Sequence, residues 1–279
     1  MSETSAGHQA KTPNSAPKGS VLTVRAVSGL SGDMLLTGMA LMAEVREQEL
    51  ASLIRDLNLP GQAAVLTLEK RSVQGISGWG CLLDLPPEHE HRTLVEITAL
   101  IQASSLAPRA AALAEAAFLL LAQAEGQVHG KAPEQVAFHE VGALDSILDI
   151  CLVCALFARL NVERFVCSPL PLADGAIFCA HGWLPSPAPA VLNLLGGVPV
   201  RPFAGEGETV TPTAIALLKT LGAEFAPWPA MTIKRRALVY GSRVFANAPN
   251  GSIWACGPAG EPGGEGLCPH GDLHGEGAF

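Results

Sequence analysis

The sequence predicts an α/β fold: a single mixed α/β domain with a flexible N-terminal lead and a flexible C-terminal tail. Strand-like and helical segments alternate from about residue 21 to residue 245. Near the start, residues 21–27 read as a strand. They run into the turn Ser28-Gly29-Leu30-Ser31-Gly32-Asp33 and the apolar stretch 34–42, a strand–turn–helix unit. Further on, Leu144, Ile147, Leu148, Cys151, Leu152, Ala155 and Leu156 recur at helical spacing. Ile150, Val153 and Phe157 make the opposite side of that helix apolar too, which places it in a core.

The remaining elements follow in order. Residues 1–20, rich in Ser, Ala, Pro and Lys, form the lead, and the domain occupies residues 21–245. A second helix covers residues 44–57 and stops at Asn58 and Pro60. Alternation at 64–68 and around 80–85 predicts a strand pair. Residues 93–103 and the alanine-rich 108–128 are helices. After the central helix come short strands at 164–167 and 175–180. A proline-stiffened connector then enters a helix at 190–195. Thr211 is the expected N-cap, with Pro212 in the first turn, of a helix over 214–221. Residues 231–244 alternate weakly, as one or two strands. From 246 to 279, Gly, Pro and Asn dominate without a periodic pattern, which predicts the flexible tail.

Composition narrows the function. With 279 residues, 48% of them apolar, the chain has ample material for a core. Its longest apolar stretch, 110–124, is interrupted by Glu115 and is too short to span a bilayer. A net charge of −8 without a basic stripe argues against nucleic acid and anionic membranes as partners. The first twenty residues lack an apolar signal region, and the seven cysteines are scattered. Both observations predict reduced thiols and a cytoplasmic location.

Several motifs carry chemistry. The Ser28–Asp33 turn brings backbone N–H groups to a helix start, a natural anion site. Its glycine spacing fits neither a Walker A loop nor a dinucleotide fingerprint, and Ser31 or Asp33 can equally serve as a simple cap. His139, Glu140, Asp145 and Asp149 offer one imidazole and three carboxylates within an apolar stretch, suited to nickel, zinc or magnesium. A carboxylate inside such a helix must be paired, hydrogen-bonded or metal-bound. The alternative has Asp145 serving the helix dipole, Asp149 paired with a base and His139 hydrogen-bonded in the core. Cys179 and His181 share one face of an extended segment, as metal ligands or as a buried cysteine beside a loop histidine. His89-Glu90-His91 and the tail residues Cys268, His270 and His274 are weaker candidates of the same kind, and Cys151 and Cys154 read as core.

Taken together, these motifs resemble a known family. The Ser28–Met34 turn, His89-Glu90-His91-Arg92, His129-Gly130 and the stretch 138–150 occur in order. They are followed by Ser168-Pro169-Leu170-Pro171-Leu172, Cys179-Ala180-His181-Gly182, the proline connector at 185–190 and Thr211-Pro212-Thr213. Over about residues 22–250 the chain is similar to the nickel insertion proteins of the lactate racemase cofactor system, the LarC family. The resemblance implies a nickel chelatase of the lyase class that places nickel into a pyridinium bis-thiocarboxylate mononucleotide, forming a metal–carbon bond and completing a nickel-pincer cofactor. It further implies use of CTP with magnesium or manganese. By this resemblance Ser31, Gly32, Thr211 and Thr213 hold the precursor phosphate. His139, Glu140, Asp145, Cys179 and His181 present nickel, and Asp33, Glu140 and Asp145 act in catalysis. Two positions depart from the family pattern: Arg25 stands where Asp is common, and Ala137 where His is common. Family members also usually continue into a second region associated with nucleotide binding, so a separate C-terminal-type subunit is an expected partner, and a homo-oligomer is an alternative. A non-catalytic nickel carrier is the rival reading, and a generic phosphate-binding enzyme the third.

Overall fold

The computed structural model describes residues 19–58, 64–85, 91–138, 142–179, 181–246 and 248–260. The chain begins with β1 (Ser20–Ala26), α1 (Gly32–Met42) and α2 (Glu47–Asp56), then β2 (Val65–Val73) and β3 (Ile76–Asp84). The short β4 (Arg92–Thr93) leads into α3 (Leu94–Ala103) and α4 (Pro108–His129), and β5 (Ala137–Phe138) precedes α5 (Leu144–Leu160). Next come β6 (Arg164–Cys167), β7 (Leu170–Leu172), β8 (Ala176–Cys179), β9 (Gly182–Pro185) and α6 (Pro189–Leu194). The chain continues through β10 (Val200–Pro202), α7 (Pro212–Thr220), β11 (Glu224–Phe225), β12 (Arg235–Val239) and β13 (Ser252–Pro258). The α/β class expected from the sequence is the one observed.

A seven-stranded mixed sheet runs β11-β6-β1-β13-β12-β3-β2. β6 is parallel to β1 and to β11, whereas β13 is antiparallel to both β1 and β12. β1 is buried along nearly its whole length, as its run of Val and Leu requires for a strand covered on both faces. β2 and β3 form the predicted pair. Gln74 and Gly75, both with positive φ (52° and 79°), make the tight turn between them.

Local signals set the helix ends. Thr93 accepts a bond from the Glu96 N–H while the Glu96 carboxylate returns to the Thr93 N–H, a reciprocal cap for α3. Thr211 caps α7 as expected, its hydroxyl accepting from the Ala214 N–H at 3.3 Å. α4 stops at Gly130 and α5 at Asn161, each in the left-handed conformation. α5 is enclosed on nearly every side, against α1, α4 and α7 among others.

The tail expectation needs correction. Residues 252–258 are not part of a flexible tail: they form β13, in the middle of the sheet. Trp254 is fully buried under α1, where a Cβ on Gly38 would lie 2.1 Å from its ring. Gly257, which reads as a breaker, is there because a Cβ would lie 2.0 Å from the Thr232 carbonyl oxygen. The domain therefore extends past the expected limit at 245. The weak alternation at 231–244 resolves into the single strand β12.

Six described cysteines are free thiols, five of them buried. Among the described residues no helix is long and apolar enough to cross a membrane.

Candidate functional site

β1 delivers the chain into the Gly-rich turn, and the turn is stitched to the segment before α7. The Leu30 N–H donates to the Thr209 carbonyl at 2.9 Å, and the Thr211 N–H donates to the Leu30 carbonyl at 3.1 Å. This contact needs a glycine at position 29, where a Cβ would lie 2.0 Å from the Thr209 oxygen. Gly29→Ala should therefore cost about 1–3 kcal/mol or more, read by urea denaturation. The stitching sets the starts of α1 and α7 side by side.

Gly32 marks where they meet. A Cβ there would lie 2.8 Å from Asp149 Oδ2 and 3.1 Å from Thr213 Cγ2, so α1, α5 and α7 touch at this one backbone position. Ser31 occupies the N-cap position of α1, yet its hydroxyl donates to the Asp33 carboxylate rather than capping the backbone. Thr37 Oγ1 donates to the Asp33 carbonyl at 2.8 Å, and the Cys81 thiol lies 3.6 Å from the same oxygen. Asp145, one turn before Asp149, is exposed and accepts a bond from the Ser146 N–H at 2.6 Å.

The electrostatics of this group are unusual for a protein interior. Burial pushes the Asp149 carboxyl well above the usual range, and the like charges of Asp33 and Asp145 push it the same way. No basic side chain is among the influences on it. Among the described residues, the expected alternative of an Asp149 paired with a base is not seen. The Cys81 thiol is pushed up to about 12, chiefly by burial, with Asp33 and Asp149 adding to the shift.

A second group also borders the α7 start, through Pro212. β8 and β9 form a hairpin with Cys179 at its end and His181 in its turn. They line a cleft of about 70 Å³ together with Glu125, His129, Glu208 and Pro212, the first residue of α7. The His129 and His181 rings are 5.1 Å apart, centroid to centroid, and tilted by 46°. Glu125 Oε2 lies 3.5 Å from His129 Nε2, one turn earlier on α4. The Cys179 thiol donates to the Gly182 carbonyl at 3.7 Å.

The residues singled out from the sequence thus divide into two sets. Ser31, Gly32, Asp33, Asp145, Thr211 and Thr213 gather around the starts of α1, α5 and α7. Cys179 and His181 belong to the cleft. His139, Glu140, His89, Glu90, Cys268, His270 and His274 lie outside the described residues. Gly142, just after the first two, is held by the buried Arg92, which donates to its carbonyl at 3.1 Å. Among the described residues no three His, Cys, Asp or Glu side chains are gathered closely enough to enclose a metal ion. Cys151 and Cys154 are core residues, as expected, with thiols pushed up by burial. Arg25 donates to the Ala226 carbonyl and lies over Trp228, on the sheet face away from α1, so this departure from the family pattern does not enter the Gly32 site.

Two contributors escaped the sequence reading. Cys81 comes from a strand with no motif of its own. His129 was visible only as the His-Gly pair ending α4, with nothing in its spacing to connect it to His181.

The family model of the nickel insertion protein matches residues 22–254. A protein of Geobacter metallireducens named for nickel insertion is 37% identical over 80% of this chain and 57% of its own length. One of Syntrophotalea carbinolica, named likewise, is 37% identical over 87% of this chain and 61% of its own. The pyridinium-3,5-bisthiocarboxylic acid mononucleotide nickel insertion protein of Staphylococcus epidermidis is 35% identical over 80% and 55%. The chain therefore spans between 55% and 61% of the length of these relatives. No solved structure matches the chain at a significant level.

Proposed function

Because the chain belongs to the nickel insertion protein family, we propose that it brings nickel to a pyridinium-3,5-bisthiocarboxylic acid mononucleotide and inserts the metal there. The observation that carries this reading is the meeting of α1, α5 and α7 at Gly32, with an imidazole- and thiol-lined cleft bordering the same helix start. An anionic mononucleotide and a borderline metal ion need those two surroundings side by side.

The precursor phosphate is assigned to the N–H groups opening α1 and α7, around Ser31, Gly32, Thr211 and Thr213. Asp33, Asp145 and Asp149 repel a phosphate there unless a cation lies between them. Magnesium is commonly held by one or two carboxylates together with substrate phosphate oxygens, so this donor set fits magnesium or manganese, which would neutralise that repulsion. Nickel, the cargo, is presented by Cys179 and His181; of the other expected ligands, Asp145 stands with the Gly32 group, and His139 and Glu140 lie outside the described residues. Forming a nickel–carbon bond breaks a ring C–H bond, and the departing proton needs an acceptor. Asp33, Glu140 and Asp145 are assigned that role. CTP use with the divalent ion follows from the family resemblance.

The decisive experiment incubates the purified chain with precursor, nickel and magnesium-CTP, and follows nickel incorporation by mass spectrometry. Incorporation supports an autonomous insertion enzyme. Nickel binding without incorporation, even with a C-terminal-type partner added, supports the carrier reading instead. Thr211→Ala offers a sharper probe of the phosphate assignment. As a cap alone it should cost about 0.5–2 kcal/mol of stability. A loss of precursor affinity of tenfold or more in a stable variant would place Thr211 at the phosphate.

A further inference from the structure

We propose that His129 and His181 grip the incoming nickel ion together, as a two-imidazole handover site in the cleft between α4 and the β8–β9 hairpin. The proposal rests on the nickel reading above and adds a ligand, His129, that the sequence motifs did not assign to the metal.

Three observations point to it. The first is ring geometry. With metal–nitrogen bonds of about 2.0–2.1 Å, two imidazoles on one ion have centroids roughly 4.5–5.5 Å apart. The His129 and His181 rings are 5.1 Å apart, and their 46° tilt is not that of a parallel stack. The second is the size of the cleft. At about 70 Å³ it admits an ion with a few waters. Small-molecule sites occupy roughly 300–1,000 Å³, so the mononucleotide itself does not fit inside. The third is the carboxylate behind one ring. Glu125 lies 3.5 Å from His129 Nε2. A carboxylate beside a ligating imidazole orients its ring, as carboxylates commonly do behind ligating histidines. Glu125 is thus a positioning residue.

Two imidazoles also suit cargo. A resident structural ion is commonly closed off by four protein ligands, whereas an ion held by His129 and His181 with Cys179 beside them keeps a position open. A sulfur donor of the precursor can take that position. Pro212 in the cleft wall opens α7, the helix whose start also meets Gly32, so the held ion would sit next to the assigned phosphate position.

The test is calorimetric titration of the full chain with nickel chloride alone, combined with nickel-edge X-ray absorption to count imidazoles. The parent should bind with two imidazoles in the metal shell. His129→Gln and His181→Gln should each weaken binding at least tenfold and remove one imidazole. The double variant should fall by less than the product of the single effects, as expected for two ligands of one ion. Glu125→Gln should weaken nickel binding severalfold and Glu125→Asp should restore part of it, a rescue that a purely structural role would not give. Circular dichroism confirms that each variant is folded. If His129→Gln binds like the parent while His181→Gln does not, the shared site is overturned and the nickel reading stands. If the folded parent binds no nickel, both are overturned.

Discussion

A chain cut after Phe245 will not fold. The cut removes β13, whose seven residues pair with β1 on one side and five of which pair with β12 on the other. Without it the β12-β3-β2 half of the sheet loses its hydrogen-bonded connection to the β1-β6-β11 half. It also removes Trp254, which fills the space beneath Gly38 of α1. Truncating a buried tryptophan alone typically costs about 3–5 kcal/mol, against total stabilities of about 5–15 kcal/mol. Trp254→Ala should therefore lower the urea midpoint sharply while leaving a folded chain, and the cut after Phe245 should abolish the cooperative transition. Soluble expression with a parent-like urea curve from the truncated chain would contradict the central placement of β13.

Asp149→Asn should stabilise the protein, and the gain should grow with pH. The carboxyl has a folded-state pKa raised well above its ordinary value of 3.8 by burial and by Asp33 and Asp145. For a group shifted upward, its share of the stability is intact below the unfolded pKa and is lost as pH rises toward the folded one. Replacing the carboxyl with an amide removes that loss. The variant should gain on the parent by up to about 1.4 kcal/mol per pH unit, starting near pH 4. Urea denaturation at pH 5, 6, 7 and 8 measures the slope, and a pH-independent difference would refute the placement of the charge. A divalent ion bound among these carboxylates favours the ionised form, so saturating magnesium should narrow the gap between variant and parent. The stability measurement thereby also tests the cation assignment.

The architecture follows from how such a site is assembled. The starts of α1 and α7 lie far apart in sequence, and a single bridge from Leu30 to Val210 sets them side by side. Asp149 reaches the same point because α5 passes through the core, packed against α1, α4 and α7, and burial there pushes its carboxyl pKa up. The site therefore depends on core packing, and core variants of α5 should perturb function as well as stability.

Much of this was written locally. Apolar periodicity placed α5, apolar and alanine-rich runs placed α1 and α4, the alternation at 64–68 and around 80–85 marked the strand pair, and Thr211-Pro212 announced the start of α7, because each of these signals acts between residues a few positions apart. The family, too, was legible, since its motifs are contiguous runs. Tertiary structure decided what depends on distant partners. Ser252–Pro258 reads as a tail because its glycine and proline break local patterns, and it is a strand only because β1 and β12 flank it. The cluster of His139, Glu140, Asp145 and Asp149 suggested one mixed site. Its described members, Asp145 and Asp149, do lie together near Gly32, whereas Cys179 and His181, joined to Asp145 by the family resemblance, line a separate cleft with residues of α4. Helix and strand are set by neighbours along the chain. Which imidazole meets which across elements, as His129 meets His181, is set by packing, and no spacing in the sequence encodes that.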